Sequence, residues 1–254
     1  MEKLLDISRH EISAFLKGIT HLGPIRPEPQ RHYSFSRSSA DVWQRRDFAA
    51  FRDFIAGTLN EADHQEISDW LERLELAQSV EPKSISERGS LFTEFEIALK
   101  ESEGAAPMPL SAMGFGASQV LPIVIQCVKA EPDSLVIVEQ PELHLHPRAQ
   151  AALGDLFISV ALRDVDSRPR FMLETHSEHL ILRLMRRMRN TAKGRLPSGV
   201  PATSPTNVGV YVVNRDPERV LSQLHCMEIS QEGQLLEPWP GGFFEEDFFE
   251  QFAD

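Results

Sequence analysis

Cysteine is scarce in this sequence: Cys127 and Cys226 are the only two in 254 residues, and no Cys-x-x-Cys spacing occurs. Neither a disulfide framework nor a cysteine-based zinc site is therefore indicated, and a reducing, cytoplasmic setting is expected. Positive charge is also short, since Lys plus Arg 26 against Asp plus Glu 38 leaves a net charge of -12. So acidic a chain does not grip nucleic acid with its whole surface, although a local basic patch stays possible. Long hydrophobic runs are missing as well. Residues 104–128 carry no charge, but Pro107, Pro109, Pro122 and three glycines interrupt them, and the unbroken apolar run from Val120 to Ile125 is too short to span a membrane. The opening Met-Glu-Lys-Leu-Leu-Asp places acids where a secretory leader needs a basic segment, so secretion is not expected. No repeat with a period of roughly 20–50 residues is present, which removes solenoids and propellers.

What is there is an ordinary globular composition, 41% hydrophobic and 25% charged, long enough for one large domain or a core domain with an insertion. The first third has helical spacing at Leu4, Leu5, Ile12, Phe15 and Leu16, at Phe48, Phe51, Phe54 and Ile55, and at Ile67, Trp70, Leu71 and Leu74. Asp63 with Glu66 resembles a capping box. Residues 23–31 form a stiff Pro-rich loop that either presents Arg26 and Arg31 as cations or simply connects. Alternation from Leu91 to Leu99 predicts a half-buried strand, and Leu135-Val-Ile-Val138 one buried on both faces. A helix over 147–163, a strand over Arg170–Leu173, a helix over Ser177–Arg189 and a strand over Gly209–Val213 complete an α/β pattern with a parallel sheet. The composition of residues 191–207 predicts an exposed loop.

Three segments could carry chemistry. Strand 135–138 ends in Glu139, Gln140 and Glu142, and ligands bind at the carboxyl ends of parallel strands, where an acid can hold Mg²⁺ and its neighbour can orient water. Many buried strands end in Glu, however. Upstream, Ser111, Gly114, Gly116, Ser118 and Gln119 surround a helix entry whose N–H groups suit an anion, or which is merely a cap. Downstream, a second strand ends at His176, which can donate to a phosphate oxygen or serve structure alone.

Together these segments resemble the second lobe of ABC-type ATPase heads of the RecF, SMC and OLD-like branch, in particular bacterial AAA-family ATPases with a C-terminal domain of unknown function. Met113-Gly-Phe-Gly-Ala-Ser-Gln-Val-Leu-Pro122 is similar to their signature motif, Glu139-Gln-Pro-Glu-Leu-His-Leu-His-Pro147 to Walker B and D-loop, and Glu174-Thr-His-Ser-Glu-His179 to the switch-histidine segment. Leu22-Gly-Pro-Ile-Arg26 with Pro29-Gln-Arg31 resembles their Pro/Arg loop, and Trp239-Pro-Gly-Gly-Phe-Phe244 their C-terminal motif.

The resemblance implies a helical segment over 1–84, an ATPase core lobe over 85–190, a loop over 191–207 and a C-terminal strand and motif region over 208–254. It further implies a composite site for ATP and Mg²⁺. Ser111, Gly114, Gly116, Ser118 and Gln119 would face the γ-phosphate in trans, Glu139 would hold the metal, Gln140 or Glu142 would serve the water, and His176 would contact the γ-phosphate in cis. The implied partner is a P-loop-bearing lobe in a homo- or hetero-oligomer, with DNA, in repair or phage defence, by analogy only.

Two departures stand out. Such heads begin with a P-loop, yet Gly-Lys-Ser and Gly-Lys-Thr occur nowhere here, so the chain resembles the C-terminal half of a split or truncated ATPase. The position after the metal-binding acid, usually Glu, is Gln140, which can orient water but cannot take its proton. A non-catalytic interaction module with a remnant ATPase fold is therefore an alternative, and a metal-dependent hydrolase built on His144, His146, His176 and His179 is a third. The basic cluster of Arg183, Arg186, Arg187, Arg189, Lys193 and Arg195 is either a solvated face or a phosphate contact.

Overall fold

The computed structural model describes residues 12–13, 15–34, 46–85, 94–164, 168–216 and 221–240. It divides into two compact units, Met1–His176 and Ser177–Asp254, a boundary that falls inside the expected 85–190 block. Leu4, Leu5, the start of the expected 91–99 strand and the end of the 239–244 motif lie outside the described residues.

The first unit holds a parallel sheet of β1 (Ile19–Leu22), β6 (Leu135–Glu139) and β7 (Arg170–Glu174) in the order β1-β6-β7, with Ile19 opposite Leu135 and Leu135 opposite Arg170. The α/β class, a parallel sheet flanked by helices, is thus as the sequence implies. One face of β6 is closed, with Val136 and Val138 both 0% exposed, whereas Leu135, Ile137 and Glu139 on the other face are half-buried. A second, antiparallel sheet is built around β4 (Glu94–Lys100), which pairs with β3 (Ser79–Ser84) along one edge and with β2 (Tyr33–Ser34) and β5 (Met108–Pro109) along the other. The N-terminal third contains the expected helices α1 (Ala49–Ile55) and α2 (Glu61–Arg73), but also β1, β2 and β3, which its helical spacing does not reveal.

Helix α3 (Phe115–Val128) contacts α1, α2 and α4 (Pro147–Ala161). From Ala117 to Val128 only Gln126 is not buried, as expected for a helix enclosed on all sides. Pro122 lies in its interior, since the helix begins at Phe115. The missing N–H leaves the Ser118 carbonyl without its usual helical donor. Asn60, not Asp63, caps α2: its side chain accepts from the Asp63 N–H at 2.8 Å.

The second unit contains α5 (Glu178–Ala192), capped by Ser177 accepting from the Leu180 N–H, and a two-stranded antiparallel ribbon of β8 (Val210–Asp216) and β9 (Leu221–Met227). The strand expected near 209–213 therefore does not extend the parallel sheet; it forms a hairpin with a strand the sequence reading missed. Gly233 (φ +64) closes the unit, because a Cβ there would run into the Met185 carbonyl of α5, and its own carbonyl accepts from Arg189 Nη2 at 3.2 Å. Among the described residues no helix is long and apolar enough to cross a membrane.

Candidate functional site

The carboxyl ends of β1, β6 and β7 lie side by side in the first unit, so the loops that follow them converge. Glu139 ends β6 half-buried, and its Oε1 accepts from His21 Nε2 of β1 at 2.7 Å. Its Cα partner on β7 is Glu174, which brings two carboxylates to adjacent strand ends. The chain then turns sharply. Gln140 takes a left-handed φ of 45°, its N–H donates to the Glu174 carbonyl at 2.7 Å, and a second left-handed residue, His144 (φ 62°), completes the excursion before Pro147 opens α4.

Arg26 lies beneath this turn. The sequence left this loop as either one that presents cations or a plain connector; Arg26 is 2% exposed and presents nothing to solvent. Nη2 donates to the Glu139 carbonyl at 2.6 Å, Nη1 and Nη2 both reach the Gln140 carbonyl at 3.4 Å, and Nε has no partner. Burial lowers its pKa to about 10 against the opposing pull of the Glu142 and Glu139 carboxylates, so the guanidinium remains charged at neutral pH. Arg31 is the cation of this loop that is exposed.

Glu142 is buried and already engaged. Its two oxygens accept from Thr175 Oγ1 at 2.8 Å and from the His176 N–H at 2.6 Å, so it ties the turn after β6 to the segment after β7. His176 itself is exposed. At the other side of the site, α3 starts at N-cap Gly114 with no side-chain cap and no acid in its first turn. Ser111 and Gly114 are exposed, and a Cβ on Gly114 would meet nothing within 4 Å. Gly116 differs: a Cβ there would lie 2.6 Å from the His144 carbonyl oxygen, so the missing side chain lets α3 and the turn approach. Ser118 is buried with its hydroxyl donating to the Phe115 carbonyl at 2.7 Å, and Gln119 is buried with its amide on the backbone of Arg26. Of the helix-entry residues, Ser111 and Gly114 thus face outward, whereas Ser118 and Gln119 serve the interior.

The two histidines of His-x-His have separate tasks. His144 packs edge-on against Phe115, with ring centroids 4.7 Å apart, and Nδ1 of His146 accepts from the Arg148 N–H at the start of α4. Among the described residues no three His, Cys, Asp or Glu side chains converge as a metal-ligand set. Sequence reasoning missed His21 as a partner of Glu139 and the burial of Arg26. Both pairings span more than a hundred residues, and no local pattern signals them.

Residues 50–181 match the AAA ATPase domain family, and residues 204–252 match a family of unknown function, DUF3696. The first match takes in just over half of the chain, which belongs to the AAA ATPase domain family. Comparison with characterised proteins gives no match. Among solved structures, the chain is similar to an SMC ATPase studied for ATP-driven dimerization and DNA-stimulated activation, at 15% identity over 66% of this chain and 84% of that one, TM-score 0.41. It is also similar to the Smc head domain with an extended coiled coil bound to the C-terminal domain of ScpA from Pyrococcus furiosus, at 15% identity over 66% of this chain and 35% of that one, TM-score 0.43. A third likeness is to an Smc head bound to the C-winged helix domain of ScpA, at 15% identity over 71% and 45% of the two chains, TM-score 0.44.

Proposed function

We propose that these residues supply one side of a composite Mg·ATP site, which a P-loop-bearing lobe completes. The observation that carries this reading is that one unit holds both an uncapped, acid-free helix N-terminus at Gly114 and a half-buried carboxylate, Glu139, at a parallel strand end, with Gln119 of that helix bonded to the backbone of Arg26 and the Arg26 guanidinium to the Glu139 carbonyl. That combination suits an anionic phosphate chain with a divalent cation. Bound Mg²⁺ would neutralise phosphate charge, with Glu139 holding it. Ser111, Gly114 and the first-turn amides of α3 would receive phosphate oxygens from the opposing lobe, His176 would donate to the γ-phosphate, and Gln140 would orient water without taking its proton. Glu142, committed to Thr175 and His176, would fix the histidine segment rather than act as base. The half-open sheet face, where Met172 is 58% exposed opposite Ile137, would receive the partner lobe in a homo- or hetero-oligomer; DNA remains an effector by analogy.

The test is single-turnover hydrolysis by the chain mixed with a P-loop-bearing lobe from an ATPase of the same family. Glu139→Gln is expected to abolish the Mg²⁺-dependent step. Gln140→Glu is expected to accelerate hydrolysis, with ~10²–10⁴-fold as the ceiling for a well-placed base. Wild-type rates in both variants would remove this strand end from the chemistry and favour the non-catalytic module.

A further inference from the structure

Several pieces of the site are joined by side chains rather than by ladders of backbone bonds. The Gln119 amide grips the backbone of Arg26 at two points, Oε1 accepting from the Arg26 N–H at 3.2 Å and Nε2 donating to the Arg26 carbonyl at 3.3 Å. Gln119 stands just over one turn into α3, whose first residues form the outward-facing helix entry. The side chain of the same arginine reaches the carbonyls of Glu139 and Gln140, as described above. One residue therefore spans from α3 to the turn that carries the acid, with its backbone fastened to one and its guanidinium to the other.

The contacts are of a kind that transmits displacement. A guanidinium is a rigid planar fork, so two neighbouring carbonyls held by it must move with it. All the acceptors are buried or half-buried, so water does not readily replace a broken bond. Gln140 has a left-handed φ without being glycine, a conformation that persists only where its surroundings hold it, and Arg26 and the Glu174 carbonyl are two of the groups doing so.

We infer that Arg26 is a positioning residue that couples the N-terminal turn of α3 to the Glu139–Gln140 turn, so that engagement of a ligand at the helix entry alters how the strand-end acid is presented. The functional meaning of this coupling rests on the composite-site reading; the linkage itself is a property of the isolated chain.

Amide hydrogen exchange of the whole chain, without nucleotide, tests it. Gln119→Ala touches neither Glu139 nor Gln140, yet it should speed exchange at the Gln140 and Leu143 amides by about tenfold, the loss expected for a buried hydrogen bond, while the α4 amides keep wild-type rates. Arg26→Lys keeps the charge but loses the fork, and should give the same local pattern. Faster exchange confined to residues 24–28 and α3, or a uniform rise across the first unit, would overturn the coupling; if Arg26→Lys fails to fold, Gln119→Ala still decides. With a P-loop-bearing lobe added, Arg26→Lys should lower turnover at saturating Mg·ATP and leave the half-saturating concentration unchanged. An inert wild-type mixture combined with the predicted exchange pattern would sink the composite-site reading and leave the coupling standing.

Discussion

β6 and β8 each open with four apolar residues, Leu135-Val-Ile-Val and Val210-Tyr-Val-Val, but their surroundings differ completely. β6 has a partner on both edges, and Val136 and Val138 are sealed. Among the described residues β8 pairs with β9 alone, and its Tyr211 and Val213 are 57% and 68% exposed, opposite the exposed Cys226 and Leu224. An apolar run thus specifies extended backbone. Whether the run is enclosed depends on how many strands and helices the rest of the chain brings to it.

The comparison can be broken most directly by placing a charge in each strand. Val138→Asp should cost about 3–5 kcal/mol, because it buries an unpaired carboxylate, and Val213→Asp should stay within about 0.5 kcal/mol of wild type; urea unfolding measures both. Equal penalties would mean that the β8 face is covered in solution. Enclosure of β6 continues into the turn beyond it, which a pair of glycines can sharpen. Gly116→Ala must displace backbone at His144 and should cost about 1–3 kcal/mol, whereas Gly114→Ala, with open space around it, should cost less than about 1 kcal/mol.

The smallest effect concerns Cys127. Burial pushes the Cys127 thiol up from its model-compound value of 9.0, so the native state keeps a proton that the unfolded chain releases. Its contribution to stability is complete below about pH 9 and shrinks as pH rises further, by at most about 1.4 kcal/mol per pH unit. Unfolding of Cys127→Ala across that range should show a shallower alkaline loss than wild type.

Much of the first unit could be read directly. The Leu135–Val138 run, the helix opened by Pro147 and the strand ending before His176 announce themselves through local pattern, and each is found within a few residues of its expected bounds. β1 could not be read that way, because Ile19-Thr-His-Leu22 is too short to show a period and follows a helical spacing. β3 was hidden by Pro82 and by having a single buried residue, Val80. The strand-end residues of the site were legible as types, an acid, an amide and a histidine. Their commitments were not: Glu142 on His176 and Gln119 on Arg26 are partnerships across 34 and 93 residues, set by topology rather than by neighbours in the chain. Arg26 shows the limit most plainly, since a cation on a proline-stiffened loop looks like a surface feature until the strand ends are folded around it.

The unequal placement of the two thiols also has a practical side. Cys127 is sealed inside α3, while Cys226 lies open on β9, opposite Tyr211. A maleimide fluorophore added to the unmodified protein should therefore attach at one place only, on the apolar side of the ribbon. An environment-sensitive dye there would brighten when anything settles over Tyr211, Val213 and Leu224, so the native sequence already carries its own optical reporter for whatever covers that side.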